Sequence, residues 1–159
     1  MLEKLRIQNF KSWQDTGDIA FGSLTGFFGT NSSGKSSILQ FLLMLKQTVE
    51  SSDRSRVLHL GDDKSYVDLG TMYDILHQHA EPGRLSFQLN WQAENILYDV
   101  QPGVFIEDKW NNVQFAAEIV WAYDRVQLVD FHYRESQSLF GIRYIHESNQ
   151  GPVYEAYAS

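Results

Sequence analysis

The stretch FFGTNSSGKSSILQ, residues 27–40, places two glycines, a lysine and a run of hydroxylated residues between an apolar segment and the start of a helical pattern. It contains the pattern G-x-x-x-x-G-K followed by Ser or Thr, typical of a phosphate-binding loop, at Gly29, Gly34, Lys35 and Ser36. Such a loop works between a strand and a helix, and the flanking residues favour both. The pattern therefore predicts a site for the phosphates of a nucleotide.

Each residue type in this loop has a physical task. The glycines let the backbone approach an anion, so that the N–H groups of residues 31–37 can point inward, and the positive end of the helix dipole reinforces the field. We expect Lys35 to pair with the β- and γ-phosphates of the nucleotide, and the hydroxyl of Ser36 to bind Mg²⁺. Ser37 could reach the α-phosphate. The predicted nucleotide-binding set is Gly29, Thr30, Asn31, Ser32, Ser33, Gly34, Lys35, Ser36 and Ser37.

An ordinary Gly/Ser loop that caps a helix is the alternative, with Ser33 or Ser36 as the N-cap. That alternative accounts for the serines. It does not account for Lys35, a cation in the first turn of a helix, where the helix dipole is positive. A bound polyanion would offset this repulsion, so the phosphate-binding interpretation is favoured.

The residues around the loop predict its strand and helix. Residues 2–10 alternate with the period of a half-buried strand, and the polar link KSWQDTGD follows. IAF and LTGFFG (residues 24–29) predict two further short strands, the second leading into the loop. From Ser36 to about Val49 the pattern predicts a helix with almost no polar face, which we expect to be covered on most sides.

The rest of the chain is predicted to be β-rich. A polar connection precedes RLSFQLNW, residues 84–91, which alternates strictly, and further strands are predicted within residues 112–135, 138–147 and 152–157. This order lacks the regular alternation of a doubly wound sheet. We predict an α/β (α+β) fold with antiparallel strands and one principal helix. The predicted parts of this single lobe, residues 1–159, are a P-loop core at about 1–50, a connection at about 51–65 and an antiparallel β region at about 66–159.

The composition restricts the class of protein. With 43% apolar and 14% aromatic residues, the 159 residues can build a core of about one domain. The absence of cysteine excludes disulfides and thiolate metal sites and favours a cytoplasmic location. No apolar run reaches the ~18 residues of a membrane span, and the first residues lack the layout of a secretory signal, so we expect no membrane partner.

The charge of the chain is unevenly distributed. Residues 1–60 carry seven Lys and Arg against five Asp and Glu, a net of +2, whereas residues 61–159 carry six against fifteen, a net of −9. The acidic part is a poor stand-alone partner for nucleic acid, whose phosphates favour clustered cations. A solvated surface is the simpler explanation of that acidity.

Three segments, LRIQNFKSW, DTGDIAF and LTGFFGTNSSGKSSILQFLLMLKQT, resemble the N-terminal start of bacterial ABC-type, AAA-family P-loop ATPases of the SMC, RecF and OLD-like branch. Those proteins begin with a strand ending in NF(K/R)S and reach a loop of the form G-x-N-x-(S/A)-G-K-(S/T)-(S/T). Asn31 and Ser37 match the positions that distinguish this branch from other P-loops. The resemblance is specific over residues 2–48 and weaker over residues 65–76.

The resemblance implies a P-loop NTPase fold, the lobe of an ABC-type head in which an antiparallel β subdomain packs against the P-loop core. It implies ATP and Mg²⁺ as cofactors, a head-to-head homodimer in the full-length protein, and DNA or an effector protein as a partner in DNA repair or prokaryotic defence. Lys11 and Ser12 match a basic-polar pair close to the nucleotide, although an exposed turn is the alternative. Asp68 or a neighbour corresponds to a segment that senses the γ-phosphate, where related proteins often have Gln or Arg.

Hydrolysis in the resembled family needs an apolar strand ending in Asp-Glu and a serine-glycine signature from a second head. Neither is evident. Asp124 and Asp130 follow apolar runs, but the next residue is not acidic in either case, and we interpret both as strand-end or edge residues. The chain ends at EAYAS without a helix or tail, so we expect an incomplete domain that binds ATP with little or no turnover, and an ATPase in the full-length protein.

Two other functions compete with this one. A nucleotide-sensing, non-hydrolysing regulatory or protein-binding module would use the β region as a docking surface. A small P-loop kinase or GTPase is disfavoured because strands and helices do not alternate after Val49. His77 and His79 have a spacing that could chelate a metal on a strand, but an exposed loop pair is favoured. The tryptophans Trp91, Trp110 and Trp121 are best explained by core and cross-strand packing.

Overall fold

The structure is a computed structural model that describes residues 1–31, 33–53, 55–92, 96–101, 104–108 and 112–159. Its helices are α1 (Lys35–Glu50), the four-residue α2 (Met72–Ile75) and a short 3-10 helix (His77–His79). Its strands are β1 (Leu2–Phe10), β2 (Trp13–Asp15), β3 (Ile19–Ala20), β4 (Gly83–Trp91), β5 (Ile96–Gln101), β6 (Val104–Asp108), β7 (Val113–Ala122), β8 (Arg125–Glu135), β9 (Ser138–Ser148) and β10 (Gly151–Ala158).

One antiparallel sheet dominates the described residues. Eight strands form it in the order β10-β9-β8-β7-β4-β1-β2, with β3 also paired to β1, and β5 and β6 form a separate pair. The strands from β7 to β10 pair in chain order as consecutive hairpins, whereas β4 pairs with β7 on one side and with the N-terminal β1 on the other. The antiparallel β-rich region expected from the alternating patterns is therefore confirmed.

The sequence between β1 and the phosphate-type loop folds differently from the prediction in two places. The segment interpreted as a polar link contains β2, which the Arg6–Asp15 ion pair of 2.7 Å holds against β1. Hydrogen bonds from the Arg6 guanidinium, the Gly17 amide and the Gln8 side chain hold the pKa of Asp15 well below its usual range. The predicted strand at residues 24–29 is wrong, because no described strand pairs with this segment and a strand needs a ladder partner.

The core lies between the sheet, α1 and residues 57–76. The Phe41 ring makes edge contacts with Phe10 of β1 and Phe87 of β4, with ring centroids 5.1 Å apart in both pairs. The prediction that α1 is covered on most sides agrees with the structure, because the exposed residues of this 16-residue helix are only Ser36, Leu39, Lys46, Val49 and Glu50. Leu39 on the opposite side is 53% exposed.

The connection after α1 is tied to the helix through a buried amide. Gln47 is 5% exposed, and its side-chain nitrogen donates to the carbonyl oxygens of His59 (2.7 Å) and Val67 (3.1 Å). Its oxygen accepts from the Val67 amide at 3.2 Å. These bonds hold residues 55–71, which contain no helix or strand, against the C-terminal half of α1.

Among the residues that the structure describes, no helix combines the length and the apolar character that crossing a bilayer requires.

Candidate functional site

The loop of residues 29–34 leads directly into α1. Two of its glycines have left-handed backbone dihedrals, with φ of 149° at Gly29 and 83° at Gly34. Gly34 is the N-cap of α1, and it makes no side-chain cap hydrogen bond. The alternative in which Ser33 or Ser36 caps the helix is therefore wrong. Because the first N–H groups of a helix have no intrahelical acceptor, a helix start of this kind offers donors to an anion.

The Lys35 side chain curls back over the loop. Its ammonium donates to the carbonyl oxygens of Gly29 at 2.9 Å and Thr30 at 2.6 Å, and it lies 3.4 Å from the Ser33 hydroxyl oxygen. The cation thus contacts the backbone of the segment that the sequence pattern assigns to phosphate binding. Carbonyl oxygens are weaker partners for an ammonium than phosphate oxygens, so an arriving anion could exchange with them.

The remaining loop residues differ in exposure. Thr30, Asn31 and Ser36 are exposed, whereas Ser37 is buried at 9%. The Ser37 amide donates to the Gly34 carbonyl at 3.1 Å, and the Ser33 amide donates to the Thr30 carbonyl at 3.3 Å. Ser36 is thus the first-turn hydroxyl with open access. Ser32, which belongs to the predicted set, lies outside the described residues.

Ser12 and Trp13 lie directly beneath the start of α1. A Cβ added to Gly34 would come within 2.5 Å of the Trp13 indole nitrogen and closer still to the Ser12 hydroxyl oxygen. The indole N–H donates to the Gly34 carbonyl at 3.1 Å. The structure therefore brings Ser12 against Gly34. Sequence reasoning missed Trp13, although its position directly after the NFKS pattern was a usable signal.

Lys11 lies farther along α1 than Ser12 does. Its ammonium donates to the Gln40 side-chain oxygen at 2.8 Å, and its amide donates to the Ile75 carbonyl at 2.7 Å. Partial burial lowers the pKa of Lys11, and the nearby Asp74 carboxylate opposes that shift. Lys11 and Ser12 form the turn between β1 and β2, in which Lys11 is half-buried and Ser12 is exposed. Gln40 carried no signal in the sequence.

Replacing Gly34 by alanine is expected to lower the free energy of unfolding by about 2 kcal/mol, because a Cβ is strained at this φ and clashes with Ser12 and Trp13. Urea unfolding measures the change. Gly22→Ala is the matched control, since the nearest atom to its added Cβ is the Leu24 carbonyl oxygen at 3.7 Å. Equal effects of the two substitutions would contradict the assignment of Gly34 as a required glycine.

The acidic candidates lie in three different settings. Asp68 is exposed and accepts from the Gly70 amide, and Asp124 is in the β7–β8 turn with φ of 59°. Asp124 is thus a strand-end residue, as interpreted. Asp130 is not, because it lies inside β8 between two neighbouring strands, with its side chain 19% exposed.

Three side chains donate to the Asp130 carboxylate. The donors are His132 Nδ1 at 2.9 Å, the Tyr157 hydroxyl at 3.0 Å and Arg143 Nε at 3.2 Å. Burial raises the pKa of Asp130, but these hydrogen bonds outweigh it and hold that pKa below its usual value. The carboxylate therefore links side chains of β8, β9 and β10.

The histidine and tryptophan candidates have structural partners. His77 and His79 lie in the short 3-10 helix rather than on a strand, and their Nδ1 atoms contact the backbone carbonyls of Lys11 and Tyr73. Within the described part of the chain, no group of three or more His, Asp or Glu residues could hold a metal ion. Trp91 and Trp121 make edge contacts with Tyr133 and Tyr73, whereas Trp110 lies outside the described residues.

Comparison with known proteins assigns the family. No curated protein matches the chain. A family model described as "AAA ATPase domain" matches residues 1–138, a range that includes β1, the loop, α1 and the strands through β8. Most of the chain is therefore covered by one model of nucleotide-dependent enzymes. The chain belongs to the AAA ATPase domain family.

Proposed function

We propose that the chain binds ATP with Mg²⁺ through residues 29–37, as the N-terminal portion of a bacterial SMC/RecF/OLD-like ATPase. Membership of the AAA ATPase domain family supports nucleotide binding and the use of ATP, usually with Mg²⁺. The observation that carries the proposal is local. The Lys35 ammonium and the uncapped start of a 16-residue helix meet at one glycine-containing loop.

The residues present fit a triphosphate. Gly34 as the N-cap leaves the first-turn amides without a side-chain acceptor. Lys35 would exchange its contacts with the Gly29 and Thr30 carbonyls for phosphate oxygens. The exposed Ser36 hydroxyl would hold Mg²⁺, which neutralises phosphate charge when bound.

Binding without turnover is the activity we assign to these residues. Asp124 lies in a turn and Asp130 already accepts from three side chains, so neither supports the role of a metal-binding or water-activating carboxylate. Hydrolysis would need a head-to-head homodimer of the full-length protein. We place that protein in the cytoplasm, acting in DNA repair or prokaryotic defence with DNA or an effector protein as its partner.

Titration calorimetry of the purified chain with ATP tests this function, and Ser36→Ala tests the metal ligand. We expect saturable binding in Mg²⁺. Ser36→Ala should weaken binding by about 10-fold in Mg²⁺ and leave binding in EDTA unchanged, because the substitution removes only the hydroxyl that would bind Mg²⁺. The control is Ser51→Ala at the other end of α1. A wild-type chain that does not bind ATP would overturn the proposed function. If Ser36→Ala weakened ATP binding equally in EDTA and in Mg²⁺, the role of Ser36 as a metal ligand would be overturned.

One observation favours the alternative, a nucleotide-sensing module that binds a protein and does not hydrolyse ATP. An open apolar groove of about 1130 Å³ lies beside α1, lined on the helix side by Leu45 and Val49 and on the sheet side by Phe115, Leu128 and Phe131. Large open apolar surfaces are characteristic of interaction sites. ATP hydrolysis by the full-length protein would exclude this alternative.

A further inference from the structure

The Gly34 carbonyl receives two hydrogen bonds from different parts of the chain. The Ser37 amide donates from within α1 at 3.1 Å, and the Trp13 indole N–H donates from β2, also at 3.1 Å. The indole ring is half-buried and packs against the core, so it is a fixed donor rather than a mobile one. The direction of the Gly34 carbonyl is therefore set by one donor within α1 and one donor outside it.

That direction determines where the next amide points. The Gly34 carbonyl and the Lys35 N–H belong to one planar trans peptide and point to opposite sides of it. Holding the carbonyl toward Trp13 and the body of α1 turns the Lys35 N–H away from the helix and toward the loop. Glycine has more backbone freedom than any other residue, so the indole bond adds a second restraint on this peptide plane to the one that the Ser37 amide supplies.

The sheet supplies the restraint through β2. Trp13 pairs with Phe10 of β1, and the neighbouring Asp15 is held by its ion pair with Arg6. The Ile7 amide donates to the Thr16 hydroxyl at 3.0 Å. The position of the indole is thus set by a short hairpin that lies outside the loop.

We propose that Trp13 is a positioning residue of the phosphate site, which acts through the Gly34 carbonyl to aim the Lys35 amide at the bound phosphate. This inference rests on the proposed function. It assigns Trp13 no contact with the nucleotide. Its effect is to orient a donor before the ligand arrives, which lowers the cost of binding.

Three substitutions test the proposal by MgATP titration. Trp13→Phe keeps an aromatic side chain and removes the donor, and we expect it to weaken binding by about five-fold, as the loss of one neutral hydrogen bond does. Trp13→His should recover part of the loss, since a ring N–H can occupy the same place. Trp91→Phe on β4 is the control and should bind like the wild type. Equal binding by Trp13→Phe and wild type would overturn the role of Trp13 alone, whereas no binding by the wild type would overturn the proposed function and this inference with it.

A second readout requires no substituted protein to fold well. In ¹⁵N NMR spectra of the full chain, nuclear Overhauser contacts to Gly34 identify the cross-peak of the Trp13 indole N–H. Adding MgATP should shift this cross-peak and slow its hydrogen exchange, because the ligand stiffens the peptide to which the indole is bonded. A saturating titration that moves loop amides but leaves this cross-peak and its exchange unchanged would overturn the proposal.

Discussion

Replacing Lys35 by alanine is expected to weaken MgATP binding by about 100-fold, as measured by titration calorimetry. The ammonium is the cationic side chain that the structure places against the loop, within hydrogen-bonding distance of the Gly29 and Thr30 carbonyls. A charge-assisted hydrogen bond contributes about 1.5–3 kcal/mol, and an ammonium between two phosphates makes more than one. The fold should be retained, since the Lys35 bonds are to exposed loop atoms.

Lys46→Ala is the matched control for Lys35→Ala. Lys46 lies on the same helix, 3.9 Å from the Glu50 carboxylate and over the Tyr66 ring. Its replacement by alanine removes the same charge from the chain as Lys35→Ala does. We expect it to bind MgATP like the wild type. A similar loss in both variants would mean that general electrostatic attraction, rather than a site at Lys35, holds the nucleotide. ATP turnover by this chain that Lys35→Ala abolishes would contradict binding without hydrolysis.

Replacing Phe41 by alanine is expected to lower the free energy of unfolding by about 3–5 kcal/mol. The side chain is fully buried, and its ring lies between Phe10 and Phe87, so alanine would leave a cavity at the junction of α1 with β1 and β4. A domain has a total stability of about 5–15 kcal/mol, so this loss is a large part of it. Urea unfolding, followed by circular dichroism, measures the change.

The same helix offers the control for Phe41→Ala. Leu39 lies on the other side of α1 and is 53% exposed, so Leu39→Ala should change the free energy of unfolding by about 0.5 kcal/mol or less. If the two substitutions cost the same, the stripe of α1 that contains Leu39 would be buried as well. That result would contradict the exposure of Leu39 in the structure.

The sequence predicted those strands and helices whose pattern of apolar and polar residues is complete within one segment of the chain. The alternation of residues 2–10 corresponds to β1, and that of residues 84–91 lies within β4. The helix expected from Ser36 to Val49 is α1, one residue longer at each end. These predictions succeed because side-chain periodicity records which face of an element is buried, and each element is long enough to show it.

Other features depend on partners distant in the chain. The apolar residues 24–29 suit a strand, but strand formation requires a ladder partner, and no described strand pairs with them. Asp130 follows an apolar run and was interpreted as a strand-end or edge residue. Its carboxylate accepts hydrogen bonds from Arg143 and Tyr157, which lie on two later strands. No local pattern reports such contacts.

By itself, the sequence determined the spacing of Gly29, Gly34, Lys35 and Ser36, and with it the candidate ligand class, because that chemistry depends on residues close together in the chain. Only the tertiary structure decided what surrounds the loop. It placed Ser12 and Trp13 against Gly34, held Lys11 at Gln40, and left one side of α1 exposed. The physical reason is that hydrogen bonds and packing between distant segments depend on how the strands pair, which the order of residues along one segment does not record.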